Sequence, residues 1–105
     1  MLFIDEDPER AWVELAPYFL REGHEFAAWK REGVPRPGEQ PALNVEDLRA
    51  QKRYEILTPE ECLERIRSNG PEFTPCLHPL CGGIPVERAW QGLELYTRKV
   101  LGALD

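Results

Sequence analysis

The sequence predicts an α/β fold in which a long helix and a proline-rich connector precede a strand–helix–strand–helix unit. Three observations predict it. Two short apolar runs, residues 54–57 and 73–77, have the length and composition of buried strands. Between them, Thr58-Pro59-Glu60-Glu61 is a helix start and Asn69-Gly70 a helix stop. At both ends of the chain, apolar residues recur at three- and four-residue steps, as on a helix with one buried stripe.

Taken in order, Asp7 and Pro8 open the first helix. The aspartate caps free amides, and the proline gives up only a donor that had no partner. Trp12, Leu15, Phe19, Gly23 and Phe26 form its stripe, and Pro17 is expected to kink or split it. Gly33 ends it, and "GVPRPGEQPALN" follows as an extended connector. Residues 44–50 read as a short helix capped by Asn44. In the next helix Thr58 accepts from the Glu61 amide while Glu61 reaches back, and Cys62, Leu63 and Ile66 supply the buried face. Pro85 starts the last helix, whose stripe is Val86, Ala89, Trp90, Leu93, Tyr96, Val100 and Leu104.

So short a crossover predicts that 54–57 and 73–77 lie side by side and parallel, with helix 59–68 between them. Parallel sheets are covered on both faces and rarely have two strands alone. The sequence contains no internal repeat to supply more. Part of something larger is expected, or a protomer that completes its sheet with a partner.

At 105 residues there is room for one small domain. A net charge of −6 argues against a nucleic-acid footprint, which needs a basic face. No apolar run approaches the roughly 20 residues of a membrane span, and "MLFIDEDPER" lacks the basic segment and apolar core of a signal peptide. A cytoplasmic location without membrane or nucleic-acid partners is expected. Cys62, Cys76 and Cys81 are odd in number, which predicts reduced thiols.

The chemistry-bearing residues gather in "CLHPLCGG". Cys76, His78 and Cys81 form C-x-H-x-x-C. A fourth zinc ligand would have to be Cys62 or His24, at the spacing of no finger or ribbon, so no metal is expected. Cys81 stands before Gly82 and Gly83 near a helix start, which would lower its pKa and suit a nucleophile with His78 as base. The diglycine exposes amides that suit an oxyanion or phosphate, although neither a Walker motif nor a dinucleotide fingerprint is present. The plainer readings are small buried cysteines, a tight turn, and a histidine satisfied by a backbone carbonyl.

"RYEILTPEECLERIR" followed by "LHPLCGGIPVERAWQGLELYTRKVLGAL", with the opening "DPERAWVELAPYFLREGHEFAAW", resembles the C-terminal end of luciferase-like flavin-dependent monooxygenases. The resemblance spans nearly the whole chain, and its three blocks come in the family's order. It implies a partial (β/α)8 barrel: the last two parallel strands with their helices and a preceding long helix. The parts would be a helical arm (1–33), a connector with a short helix (34–50) and a βαβα unit (51–105). It also implies FMN or a deazaflavin as cofactor and a small organic substrate. His78, Cys81, Gly82, Gly83 and Thr58 would face the flavin pocket at the carboxyl ends of the strands; no catalytic residue is assigned. The earlier barrel strands are absent from this chain, so tight flavin binding and activity are expected only with the remainder of the barrel. The alternatives are a homodimerising binding or assembly module and a small Cys/His metal-binding domain.

Overall fold

The structure, a computed structural model, describes residues 1–30 and 42–104, and all their side chains except those of 26–30. It is mixed α/β and mostly helical. The order is β1 (Leu2–Ile4), α1 (Pro8–Lys30), α2 (Val45–Gln51), β2 (Glu55–Leu57), α3 (Pro59–Asn69) and α4 (Val86–Leu95). The last helix continues through a π-helical turn, Tyr96–Leu101, into α5 (Gly102–Leu104). The expected helix end at Gly33 and most of the connector lie outside the described residues.

β1 pairs with β2 in parallel, with Leu2 opposite Glu55, Phe3 opposite Ile56 and Ile4 opposite Leu57. On its other edge β1 makes a single parallel bridge, Leu2 to Leu77. The expected direct pairing of 54–57 with 73–77 is therefore corrected: the first strand lies between them. The second correction concerns length. Segment 73–77 contributes one bridge, made by Leu2 N–H to Cys76 O at 2.8 Å and His78 N–H to Leu2 O at 3.4 Å. In this register residues 73–75 fall ahead of β1, and beyond His78 the chain turns, the His78 carbonyl accepting from Cys81 N–H at 3.3 Å, so the ladder stays at one bridge.

Alternation along β1 separates two apolar cores. Phe3 and Ile56 face Ala11, Trp12, Leu15, Ala16 and Phe19 of α1, together with Leu48 of α2. Leu2, Ile4 and Leu57 face Cys62 of α3 and Val100 of the last helix. Helices thus cover both faces, as parallel strands require. Pro17 is exposed and α1 runs through it as one helix, so the expected split does not occur. Buried Leu15, Ala16 and Phe19 on both sides offset the cost of its missing hydrogen bond.

The capping chemistry sets the shorter helices. Glu61 N–H donates to Thr58 Oγ1 and Thr58 N–H to Glu61 Oε1, both at 3.1 Å, which completes the box on α3. Asp47 N–H donates to Asn44 Oδ1 at 2.9 Å on α2. In the last helix the expected stripe is corrected. Ala89, Gly92 and Val100 are buried, while Val86 and Trp90, one turn apart, are 61% and 58% exposed. The reason is the seat of α4 on β1: a Cβ at Gly92 would come within 2.9 Å of the Phe3 ring. Arg88 fixes this seat further, pairing with Asp5 and Glu14 and lying 5.2 Å over the Phe3 ring.

One close approach places the 3₁₀ turn Cys81–Gly83 under α1. At Gly82, φ is +62°, and a Cβ would lie 1.9 Å from the Tyr18 carbonyl oxygen. No side chain fits there, and the left-handed conformation adds its own strain. Gly82→Ala should cost about 3 kcal/mol, from overpacking plus left-handed strain. Gly83→Ala, whose Cβ would meet only the Arg21 guanidinium at 3.9 Å, should cost less. Urea unfolding of the two variants tests the order; equal losses would contradict this packing.

Candidate functional site

Phe19 and Tyr54 stack with ring centroids 4.8 Å apart and planes 9° from parallel. Trp12 meets Phe19 edge-on at 5.6 Å. One turn beyond Phe19, α1 places Glu22 within reach of the Tyr54 hydroxyl. Among the described residues Glu22 is the one charged residue in the buried class, at 8% exposed. A buried carboxylate needs donors. It has them: Tyr54 O–H donates to Oε1 at 3.1 Å, and Oε2 accepts from His78 Nε2 at 2.8 Å. The buried Cys81 thiol lies within 4.8 Å and also favours the charged carboxylate.

Each partner arrives by a different route. Tyr54 immediately precedes β2. His78 follows the bridge at Leu77, and its backbone is held by Leu2. Because Leu77 packs into the second core, alternation aims His78 at α1. Cys81 is set by the 3₁₀ turn, where its N–H donates to His78 O at 3.3 Å, and by the close approach at Gly82. Glu22 Oε, His78 Nε2 and Cys81 Sγ all lie within 4.8 Å of one another.

The electrostatics follow from this geometry. Burial pushes the Glu22 carboxyl up, but the Cys81, His78 and Tyr54 donors outweigh it and hold the pKa below the ordinary 4.5. Burial, reinforced by the Glu22 charge, drives the Cys81 thiol well above its ordinary range. The Tyr54 hydroxyl is raised by burial first, then by Cys81 and Glu22. Cys81 is therefore a neutral thiol at physiological pH. The expected lowering of its pKa near a helix start is corrected: burial raises it instead. Solvent reaches the cluster at His78, whose side chain is 42% exposed.

Of the residues singled out from the sequence, His78 and Cys81 come together on Glu22, and Gly82 makes the approach possible. The backbone-carbonyl role expected for His78 in its plainer reading is taken by the Glu22 carboxylate. Gly83 is exposed beside Arg21, and the Thr58 hydroxyl caps α3. Cys76 is exposed and outside the cluster, while Cys62 is fully buried in the second core. His24 Nε2 bonds the Ala42 carbonyl at 2.9 Å, pinning the end of the connector to α1. Glu22 and Tyr54 were not anticipated. Counting 12, 15, 19, 22 along α1 places a glutamate on the apolar stripe, and an acid at such a position signals a buried partner. A separate polar groove of about 420 Å³ opens at the carboxyl end of β1, lined by Asp5, Arg10, Glu14, Arg88 and Gln91 among others.

Comparison with protein-family models, with curated proteins and with solved structures finds no match for this chain. Among the described residues no helix is long and apolar enough to cross a membrane.

Glu22→Gln tests the electrostatics. Its folded pKa lies below the unfolded value, so its stabilisation is complete above the ordinary 4.5 and is lost as pH falls through the folded value. At pH 7 the variant should be less stable by about 2–3 kcal/mol, the loss of charge-assisted hydrogen bonds. The gap to wild type should narrow as pH drops below 4.5. A gap that widens on acidification, in urea unfolding across pH, would contradict this arrangement.

Proposed function

We propose that this chain is the C-terminal portion of a luciferase-like flavin-dependent oxidoreductase, of monooxygenase type, inactive without the rest of its (β/α)8 barrel. One observation carries the reading beyond the sequence resemblance. The segments ending at Ile4, Leu57 and Leu77 run parallel, and each leads into a helix, the third by way of the Cys81–Gly83 turn. Parallel strands that each lead into a helix are also the building units of a barrel wall, in which sites form at the carboxyl ends of the strands. The polar groove beyond β1 lies at that edge. In the complete fold the half-exposed His78 and the exposed Gly83 contribute to the approach to FMN or a deazaflavin with a small organic substrate alongside, while Thr58 caps α3 at the opposite end of β2 and Gly82 packs on α1. Buried Cys81 holds the turn rather than touching the flavin.

The order β2–β1–Leu77 and the helices on both faces depart from a barrel wall, which has chain-order neighbours and helices on its outer face alone, so the reading includes a rearrangement. With the other strands present, Leu77 moves beside β2, and β1 pairs onward to the preceding strand. The exposed Val86 and Trp90 agree with a surface that is covered in the larger assembly. A second copy of the chain is the other candidate for that cover.

The test is a chimera in which residues 1–105 replace the matching segment of a luciferase-like flavin oxidoreductase. The folded chimera should bind flavin, seen as protein-bound flavin absorbance, while the chain alone should bind none at stoichiometric concentration. A folded chimera that never takes up flavin would contradict the proposal, as would flavin turnover by the chain alone.

A further inference from the structure

We propose that Glu22, His78 and Cys81 bind a borderline transition-metal dication, zinc foremost, leaving one coordination position open to solvent. This does not depend on the flavin reading. One oxygen, one nitrogen and one sulfur lie within 4.8 Å of one another. Ligands around a tetrahedral ion with bonds of 2.0–2.3 Å stand about 3.3–3.8 Å apart. An ion would part the Glu22 Oε2–His78 Nε2 pair, now 2.8 Å apart, by roughly 0.5–1 Å and draw in the longer separations by up to about 1.5 Å.

The backbone is held independently at all three positions. Glu22 rides on the long helix α1, and His78 follows a bridged residue whose strand neighbour bonds its amide. Cys81 sits in a turn clamped by the Gly82 approach to Tyr18. Burial divides the donors usefully. Cys81 is fully buried and the Glu22 side chain is 11% exposed, while that of His78 is 42% exposed. An ion therefore enters past His78, and its fourth position faces water, as in three-ligand zinc centres. Tyr54 supplies the outer support such centres need. Its hydroxyl holds Glu22 Oε1, orienting the carboxylate and leaving Oε2, on the His78 side, for the ion.

The chemistry of the donors selects the metal. A sulfur and an imidazole favour zinc, cobalt or cadmium over magnesium and calcium, which take oxygen ligands. The carboxylate and a thiolate together balance a dication. Binding displaces the thiol proton of Cys81 to solvent. The ring proton now shared with Glu22 leaves Nε2 as well, going to Nδ1 if the ring is neutral and to solvent if it is charged. Affinity therefore rises with pH. The spacing of the sequence pointed to Cys76 as partner of His78 and Cys81; the fold substitutes Glu22, from 56 residues before His78.

The test uses Co²⁺ alone as probe on the intact chain, followed by Zn²⁺ displacement. Wild type should take up one Co²⁺ per chain with a thiolate-to-cobalt charge-transfer band and the intense visible bands of a four-coordinate ion. Cys81→Ser should lose the charge-transfer band, and Cys76→Ser should keep it. Glu22→Gln and His78→Ala should weaken binding by at least about tenfold. Thermal unfolding checks each variant. If Glu22→Gln does not fold, His78→Ala, at the half-exposed ring, decides. Absence of stoichiometric uptake by wild type would overturn the proposal. So would a charge-transfer band that survives Cys81→Ser and vanishes in Cys76→Ser, or unchanged affinity in folded His78→Ala.

Discussion

Leu2 donates its amide to Cys76 and accepts from His78, while the Met1 carbonyl accepts from Glu55 and the Leu57 carbonyl from Asp5. The three-residue strand β1 is thus bonded along both edges, and both cores form around it. Phe3 closes the one beneath α1 and α2, and Leu2 with Ile4 closes the one beneath α3 and the last helix. All three residues are at least 94% buried. Removing this strand would separate β2 from the Leu77 segment and leave α4 without the Phe3 ring on which Gly92 rests. A sheet this small is stable only because helices cover it on both sides.

The position of β1 also explains the polar cluster. With Leu77 turned into the second core, His78 must face α1, where Glu22 occupies a stripe position that would otherwise be apolar. A lone buried carboxylate would be costly. Here the partners come from the start of β2 and from the loop before α4, so the cost is offset by a network that ties both to α1. The close approach at Gly82 lets that loop reach the helix. Polar connectivity of this kind fixes which residues meet, and apolar packing alone is far less particular.

Much of the helical structure was legible because its signals are local. Asn44 and Thr58 cap the helices that their spacing announced, and Gly70 stops α3. The strands were less legible because their signals are not. Residues 2–4 form an unbroken apolar triplet with no alternation, and only tertiary burial on both faces marks it as a central strand. The pairing expectation failed for the same reason: a short crossover predicts parallel strands, not which strand stands between them. In the site, His78 and Cys81 were visible as reactive residue types. Their meeting with Glu22 spans more than fifty positions and depends on a loop folding back along α1.

The central claim is that β1 lies between the two later segments. Cross-strand nuclear Overhauser contacts on the isotopically labelled chain test it most directly. The account predicts backbone contacts from Leu2 both to Glu55 and to Leu77, with none between Ile56 or Leu57 and Leu77. Direct contacts from Ile56 or Leu57 to Leu77, with Leu2 at an open edge, would contradict it.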